Sequence, residues 1–356
     1  MLPFGARLRL AGCAGHLPPL DHERTKIAFV GSGVRMNNSF HVKLLFCRPI
    51  WCAFAVMLGA TLLGGCSLKR MAVNKLGDAL ASGGTTFAAD DDPELVKAAV
   101  PFSLKLMESL LNESPNHRGL LEAASSGFTQ YSYAFVQQDA DELEPGDFAA
   151  AEALRARAKR LYLRARNYGL RGLEAAHPGF TNALSQKPLE AVRRMRKRDV
   201  PQLYWCAAAW GSAISLGKDD PALLATIPQM EALIDRALEL DESWGEGAIH
   251  SFLVSYEMSR QGASGDPVER ARRHFERALQ LAGGRQAGLF VTFAEAVCVE
   301  KQIVKQFEEL LGQALAIDAD AYPEQRLANL VMQRRARWLL SRKDELFLLP
   351  AQPSDQ

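Results

Sequence analysis

Apolar residues recur at spacings of three and four along most of the chain from residue 93 onward, and the alternation typical of strands is absent. Clusters of Pro, Gly and Asp interrupt this pattern and predict where one helix ends and the next begins. These clusters are Glu144–Asp147, Ala176–Gly179, Asp219–Pro221 and Gly265–Pro267. Asp92 and Pro93 predict the cap and the first residue of the opening helix. The pattern therefore predicts an all-α fold.

The predicted helices carry a repeated segment with a small residue at the equivalent position of each copy. The copies are Arg171–Ala175, Arg236–Leu240, Arg277–Leu281 and Gln313–Ile317, and their small residues are Gly172, Ala237, Ala278 and Ala314. Two antiparallel helices approach closely only where one face carries Ala or Gly, and large residues of the partner helix then fill the interface. Phe252 and Tyr256, or Phe290 and Phe293, fit that role. We predict an α-solenoid of tetratricopeptide-like helical hairpins.

A second pattern lies near the start of the chain, where an apolar segment ends at Cys66. Lys43 and Arg48 precede this segment, and Leu63–Cys66 resembles a bacterial lipobox, so we predict a secretory signal followed by lipidation of Cys66. The alternative is a transmembrane anchor. The apolar run from residue 50 to residue 65 is shorter than the roughly 20 residues that a bilayer span needs, which favours lipidation.

These patterns divide the chain into three parts. Residues 1–65 form the signal region, and residues 1–35 fit either an over-extended gene start or a cytoplasmic extension, because Met36 begins a signal peptide of ordinary length. Residues 66–92 form a lipidated N-terminus and a flexible tether, and residues 93–350 form the helical repeat domain. Ser67 follows the cysteine in place of an Asp, which indicates the outer membrane and places the domain on its periplasmic side.

Composition and motif content narrow the function. Seven of the 42 Lys and Arg residues and two of the 41 Asp and Glu residues precede Cys66, so the chain from Cys66 onward has a formal charge of −4 and no signature of nucleic-acid binding. Cys206 and Cys298 lie in apolar helical segments and are predicted to be buried thiols rather than a disulfide or metal pair. No zinc spacing, phosphate loop or nucleophile elbow is present, so we predict no metal, no cofactor and no enzyme activity.

Aromatic residues concentrate on the predicted first helices of the hairpins, which line the concave surface of tetratricopeptide solenoids. Tyr and Trp suit a wet apolar cavity because each combines a large ring with a polar tip. The candidate ligand-binding residues are Tyr131, Tyr133, Trp205, Trp210, His250 and Tyr256. The alternative for each aromatic residue is ordinary core packing, and the alternative for His250 is a hydrogen-bonded histidine inside the hairpin.

The C-terminal segment is the most distinctive part of the chain. It comprises Tyr322–Leu330, Gln333–Leu340 and Lys343–Phe347, and it resembles the closing segment of the TRAP transporter T-component (TatT) family. The resemblance extends upstream, so that it covers about residues 93 to 348. The upstream segments are Leu120–Phe135, Leu203–Gly211 and Gly247–His250.

The resemblance implies a periplasm-facing, lipid-anchored protein of cryptic tetratricopeptide repeats. It implies association with a periplasmic TRAP-type substrate-binding protein, a homo-oligomer such as a trimer, and a pore or cleft that handles a hydrophobic small molecule. The alternative function is an envelope lipoprotein that scaffolds an outer-membrane protein assembly. A continuous aromatic-lined cavity would favour the transport accessory, whereas a solid core with a polar groove would favour the scaffold.

Overall fold

The computed structural model describes residues 71–81 and 84–348, and within these ranges the chain is helical with no β-strand. All of them lie in the second of the two units into which the chain divides, Met1–Ala60 and Thr61–Gln356. The prediction of an all-α fold is therefore confirmed. The helical ranges 71–81 (α1), Gly84–Ala88 (α2), Pro93–Glu113 (α3), Arg118–Tyr131 (α4), Gln138–Leu143 (α5) and Phe148–Ala176 (α6) make up the first part of the domain.

The middle of the domain begins with two short helices and continues with longer ones. In chain order these are Phe180–Gln186 (α7), Pro188–Val192 (α8), Val200–Ser215 (α9), Pro221–Leu224 (α10), Ile227–Leu240 (α11) and Ala248–Glu257 (α12). The last part comprises Pro267–Ala282 (α13), Ala287–Phe293 (α14), Val304–Ala316 (α15), Arg326–Ser341 (α16) and Lys343–Leu346 (α17). Two π-helical segments, Ser132–Gln137 and Ala294–Cys298, continue α4 and α14.

Local sequence explains where the principal helices begin. The side chain of Asp92 accepts hydrogen bonds from the amides of Glu94 and Leu95, with Pro93 at the first helical position, so the predicted start of α3 is confirmed. Asp266 caps α13 in the same way, and Gly283 ends that helix in the left-handed conformation.

Longer helices pack in sequential pairs: α4 on α6, α9 on α11, α12 on α13 and α14 on α15, while α6 also packs on α9. The small residues of the repeated segments lie in the second helix of each pair and are all buried; they are Gly172, Ala237, Ala278 and Ala314. A Cβ atom on Gly247 would lie only 3.0 Å from the Cα of Ala278, so α12 and α13 approach closely where the sequence predicts it. The arrangement of these hairpins as a solenoid stays a prediction.

The last long helix returns to the first helices of the domain. Arg334 of α16 pairs with Asp139 at 3.0 Å and with Glu142 at 2.6 Å, both on α5. The neighbouring Arg335, whose side chain is 8% exposed, pairs with Asp141 at 2.9 Å and with Glu295 of the second π-helical segment. Charged contacts therefore connect α5 to α16 across almost the whole length of the domain.

The flexible tether predicted for residues 66–92 differs from the structure over much of its length. Residues 71–81 are helical, and a Cβ atom on Gly77 would lie 2.8 Å from Cδ1 of Leu120, so α1 packs directly against α4. His117 reinforces this contact, because its Nε2 lies 3.2 Å from the backbone oxygen of Asn74. Gly and Ser suggested a linker, but the packing against α4 gives this segment a tertiary partner that composition does not reveal.

Two further observations concern membrane spans and cysteines. In the described part of the chain, no helix is long and apolar enough to cross a membrane. Cys206 and Cys298 are free and buried, which confirms the prediction of buried thiols. The predicted lipidation site Cys66 and the signal region lie outside the described residues.

A candidate ligand cavity

A cavity of about 1620 Å³ lies between the first helices of the hairpins. Residues of α4, α9, α12, α14 and α16 line most of it, and residues of α1, α2, α3, α10 and α11 contribute to the rest of the wall. Of the second helices, α6, α13 and α15 contribute none of its described lining residues, whereas the start of α11 contributes Ile227, Met230 and Glu231. The pairing of helices thus places the first helices toward the cavity and most of the second helices outside them, with the start of α11 as the exception.

Small residues on the inner helices leave this space open. They recur at helical spacing on the inner face, for example Ala208 and Ser212 on α9, and Ala248, Ser251 and Ser255 on α12. Two leucines of the same helices, Leu203 and Leu253, each about 1% exposed or less, instead pack outward into the buried clusters. Small side chains at these inward positions therefore widen the cavity, which aromatic residues of the same helices also line.

Four of the six predicted ligand-binding side chains line the cavity: Tyr131, Tyr133, Trp205 and Tyr256. Trp205 belongs to an aromatic cluster in which its ring centroid lies 4.9 Å from that of Tyr204, and Phe252 stacks on Tyr256 at 5.8 Å. These rings give the cavity an apolar wall with hydroxyl and indole groups at intervals. That they contact a ligand stays a prediction.

The lining tyrosines are held by specific partners. The hydroxyl of Tyr256 donates a hydrogen bond to Glu231 at 2.7 Å, and Arg260 lies over its ring. The hydroxyl of Tyr133 lies 3.8 Å from Sδ of Met332 on α16. Tyr133 is 36% exposed, but that surface faces the cavity, and burial followed by the charge of Glu295 raises its pKa to about 12. Burial and the hydrogen bond to Glu231 also raise the pKa of Tyr256. Both tyrosines therefore stay neutral across the physiological pH range.

Trp210 and His250 lie elsewhere, and on this point the structure corrects the prediction of a shared aromatic groove. Trp210 is 5% exposed, donates a hydrogen bond from Nε1 to Oγ1 of Thr226 at 2.8 Å and carries Arg166 over its ring. Neither residue is among the described residues that line the cavity. The physical reason is rotation around the helix: on α9 the inner face runs through residues 204, 208 and 212, and residue 210 falls on the other side.

His250 is instead the centre of a buried polar contact between three elements. Its Nδ1 lies 2.8 Å from Nδ1 of His274 on α13, and its Nε2 lies 3.2 Å from Glu242. Because these two facing nitrogens can share only one proton in a hydrogen bond, at least one of the rings is neutral. Burial, with the neighbouring His250, lowers the pKa of His274 to about 4. The alternative of a hydrogen-bonded histidine inside the hairpin therefore describes His250.

Glu122 is a lining residue that the sequence analysis does not identify. It lies on the same face of α4 as Ser126, one turn later, and Tyr133 follows two turns further along the helix. Burial raises its pKa above the ordinary value, and the charge of Arg118 opposes this only in part. A helical projection from Tyr133 would have found it, because the spacings of seven and eleven residues return to one face.

The fold and the cavity define a class of protein: an all-α domain that encloses a site of ligand size, with no described cluster of His, Cys, Asp and Glu that could hold a metal ion. Comparison with known sequences identifies the family. Residues 89–347 match the TRAP transporter T-component, and the chain belongs to this family. An uncharacterised protein of Treponema pallidum (strain Nichols) is 32% identical over 315 residues, which cover 83% of this chain and 97% of that protein.

Membership of this family confirms the resemblance and identifies the chain as an accessory component of a TRAP transporter. It indicates association with the transporter system and with the cell envelope. The matched range begins only a few residues before α3 and ends at the last buried aromatic residue, Phe347, so it covers nearly all of the helical domain that surrounds the cavity.

Proposed function

We propose that this protein binds a hydrophobic ligand in the cavity between its inner helices and docks a periplasmic TRAP-type substrate-binding protein. The observation that carries the proposal is the cavity itself. Its volume of about 1620 Å³ exceeds the roughly 300–1,000 Å³ of ordinary ligand pockets, which suits an extended apolar molecule. The aromatic rings of Tyr131, Tyr133, Trp205 and Tyr256 supply apolar contact area and polar tips for such a ligand.

The proposal includes the arrangement of the hairpins as an α-solenoid of tetratricopeptide type. The position of the first helices around the cavity supports it, as does the burial of Gly172, Ala237, Ala278 and Ala314 in the second helix of each pair. A homo-oligomer, with a trimer as the form implied by the family resemblance, is the expected assembly.

Lipidation of Cys66 would hold the domain at the periplasmic face of the envelope, with the outer membrane as the expected location. The lipobox-like segment Leu63–Cys66 supports this part of the proposal. A scaffold for an outer-membrane assembly is the alternative. Such a scaffold requires a filled interior and a polar peptide groove, and the large aromatic-lined cavity counts against it.

Purification from membranes in mild detergent, followed by mass spectrometry of the co-purified proteins and lipids, tests the proposal. We expect a solute-binding protein and an apolar small molecule in the purified complex. A chain with Cys66→Ser is the control, because it cannot be lipidated at this position while the residues that line the cavity are unchanged. Recovery of outer-membrane assembly factors alone would favour the scaffold instead.

A further inference from the structure

We propose that the cavity selects amphiphiles with a positively charged ammonium head group, and that the carboxylate of Glu122 contacts this group. The inference rests on the proposed function, since it names the class of ligand for the same cavity. It starts from the charges that face the cavity rather than from its apolar wall.

The charged lining residues are mostly acidic. Four carboxylic acids, Asp78, Glu122, Glu231 and Glu324, line the cavity, whereas Lys218 is the single basic residue among the described lining residues. Lys and Arg together number 42 in the chain, and arginine pairs with acids throughout the domain, yet no arginine is part of the described lining. An anionic head group would therefore find no guanidinium to bind, although guanidinium is the preferred partner of carboxylates and phosphates.

The four acids are not equally available to a ligand. Glu231 accepts a hydrogen bond from the hydroxyl of Tyr256, and its carboxylate lies 3.3 Å from the guanidinium of Arg260. The negative charge of Glu231 is therefore already compensated within the protein. Asp78 lies 3.3 Å from Nε2 of His117 with a side chain that is 66% exposed, and Glu324 is exposed. These three carboxylates are partnered or hydrated.

Glu122 differs from the other three in its surroundings. It is part-buried on the inner face of α4, and no described residue donates a hydrogen bond to its carboxylate or forms an ion pair with it. Arg118, one turn earlier, pairs with Asp199 instead. The raised pKa of Glu122, caused first by burial, agrees with a carboxylate that lacks a close partner.

An ammonium group would stabilise this carboxylate, because an ion pair in a partly desolvated site compensates for the hydration that burial removes. The aromatic rings of the wall add a second attraction for the same group. The faces of Tyr and Trp attract alkylammonium ions, and Tyr131 already carries Arg157 at 5.9 Å from its ring centroid. The apolar tail of the ligand would occupy the wide space between the small residues of α9 and α12.

Three competitors with the same tail and different head groups test the inference. The full chain, held in a non-ionic amphipol, is loaded with the neutral probe 1-N-phenylnaphthylamine. The probe is then displaced with dodecyltrimethylammonium or dodecanoate below their micelle concentrations, or with dodecanol below its solubility limit. Empty amphipol measures partition into the carrier. We expect the ammonium compound to displace the probe roughly tenfold more effectively than dodecanoate, with dodecanol between them.

Glu122→Gln keeps the shape of the side chain and removes its charge. We expect the preference for ammonium over carboxylate to fall to about threefold or less, with displacement by dodecanol unchanged. Glu190 lies at an exposed position of α8 outside the cavity, so Glu190→Gln should leave the displacement by all three competitors as in the wild type. If the variant does not fold, the pH dependence of binding to the wild type tests the same inference. Affinity for the ammonium compound should fall as pH is lowered through the raised pKa of Glu122, whereas dodecanol should bind equally at each pH.

The outcomes separate this inference from the proposed function. Saturable probe binding with equal displacement by both ions, or with stronger displacement by dodecanoate, would overturn the inference and leave the hydrophobic cavity intact. Failure of the neutral probe itself to bind would overturn the proposed function. If the ammonium preference holds, lysophosphatidylcholine then distinguishes the sources: equal affinity points to a lipid head group, and exclusion points to a free amine.

Discussion

At the scale of single residues, contact distance decides which glycines are required. Gly169 of α6 faces α9 so closely that an added Cβ atom would lie 2.6 Å from Cβ and 2.9 Å from Cα of Cys206. The second of these atoms belongs to the backbone, which cannot rotate away. The neighbouring Gly172 is recognisable in the sequence through its repeat position, but no local pattern distinguishes Gly169, because the crossing of two helices sets its partner.

We therefore expect Gly169→Ala to lower the free energy of unfolding by about 1–3 kcal/mol through overpacking of the α6–α9 interface. Gly312→Ala is the matched control. It lies within α15, and a Cβ atom there would meet no atom within 4 Å, so the gain in helix propensity should stabilise the protein by up to about 1 kcal/mol. Urea denaturation followed by circular dichroism measures both, and equal effects of the two variants would contradict the packing argument.

The contact between His250 and His274 gives a pH dependence of defined sign. Burial holds the pKa of His274 at about 4, whereas its ordinary value is 6.5. As pH falls from about 6.5 to about 4, the unfolded chain binds a proton at this position and the folded chain does not, so stability present above pH 6.5 is lost.

His274→Gln can still accept a hydrogen bond from Nδ1 of His250 but does not titrate. We expect the free energy of unfolding of this variant to depend less steeply on pH between 6.5 and 4 than that of the wild type. Carboxylates titrate alike in both proteins, so their effects cancel in the difference. Parallel stability profiles of the two proteins in this range would show that His274 titrates normally in the folded state.

At the scale of secondary structure, apolar spacing and the Pro and Gly clusters predict the helices, because local propensity and burial of one face agree over long segments. The π-helical segments Ser132–Gln137 and Ala294–Cys298 were not predicted. They contain Tyr133 and Glu295, which contact Met332 and Arg335 of the distant helix α16. The local spacing of apolar residues does not predict contacts between residues so far apart in the sequence. For the same reason it does not predict the packing of α1 against α4.

Asn329 connects α16 to the start of α14. An Asn inside a helix needs a specific partner, and this side chain has two. Its Oδ1 accepts a hydrogen bond from the amide of Ala287 at 2.9 Å, and its Nδ2 donates one to the backbone oxygen of Arg285 at 3.0 Å. The side chain is 1% exposed, so both backbone groups depend on it.

Replacing Asn329 with Leu should cost about 1–3 kcal/mol of stability, because both backbone groups would remain buried without a partner. Asn329→Asp keeps the acceptor for the amide of Ala287 and should retain part of that stability. Thermal unfolding of the two variants checks the order. An Asn329→Leu protein as stable as the wild type would mean that these backbone groups reach water.

At the scale of the whole helical domain, charged contacts join its first and last helices. Arg335 is 8% exposed and faces Asp141 and Glu295, and Arg334 faces Asp139 and Glu142. The sequence indicates the arginines as part of a distinctive C-terminal segment, but it does not indicate their partners, which lie nearly 200 positions away for α5. The contact between α5 and α16 therefore cannot be predicted from the sequence and is seen only in the structure.

We expect Arg335→Met to destabilise the protein by about 1.5–3 kcal/mol, because it leaves Glu295 without its cation and Asp141 with Arg155 alone. Lys305→Met is the control, since Lys305 is 91% exposed and its pair with Glu309 should contribute no more than about 0.5 kcal/mol. Denaturant titrations at low and high salt measure both variants. A loss at Arg335 no larger than that at Lys305 would mean that the α5–α16 contact does not stabilise the domain.

Binding of an apolar ligand between the inner helices is the central claim, and filling the cavity tests it most directly. Ala208 lines the cavity on α9, whereas Ala153 is exposed on the outer helix α6. Fluorescence titration with 1-N-phenylnaphthylamine should show saturable binding to the wild type and to Ala153→Trp. Ala208→Trp should remain folded and lose at least roughly tenfold in affinity, because the indole occupies the space of the probe. Unchanged binding to folded Ala208→Trp would contradict the account.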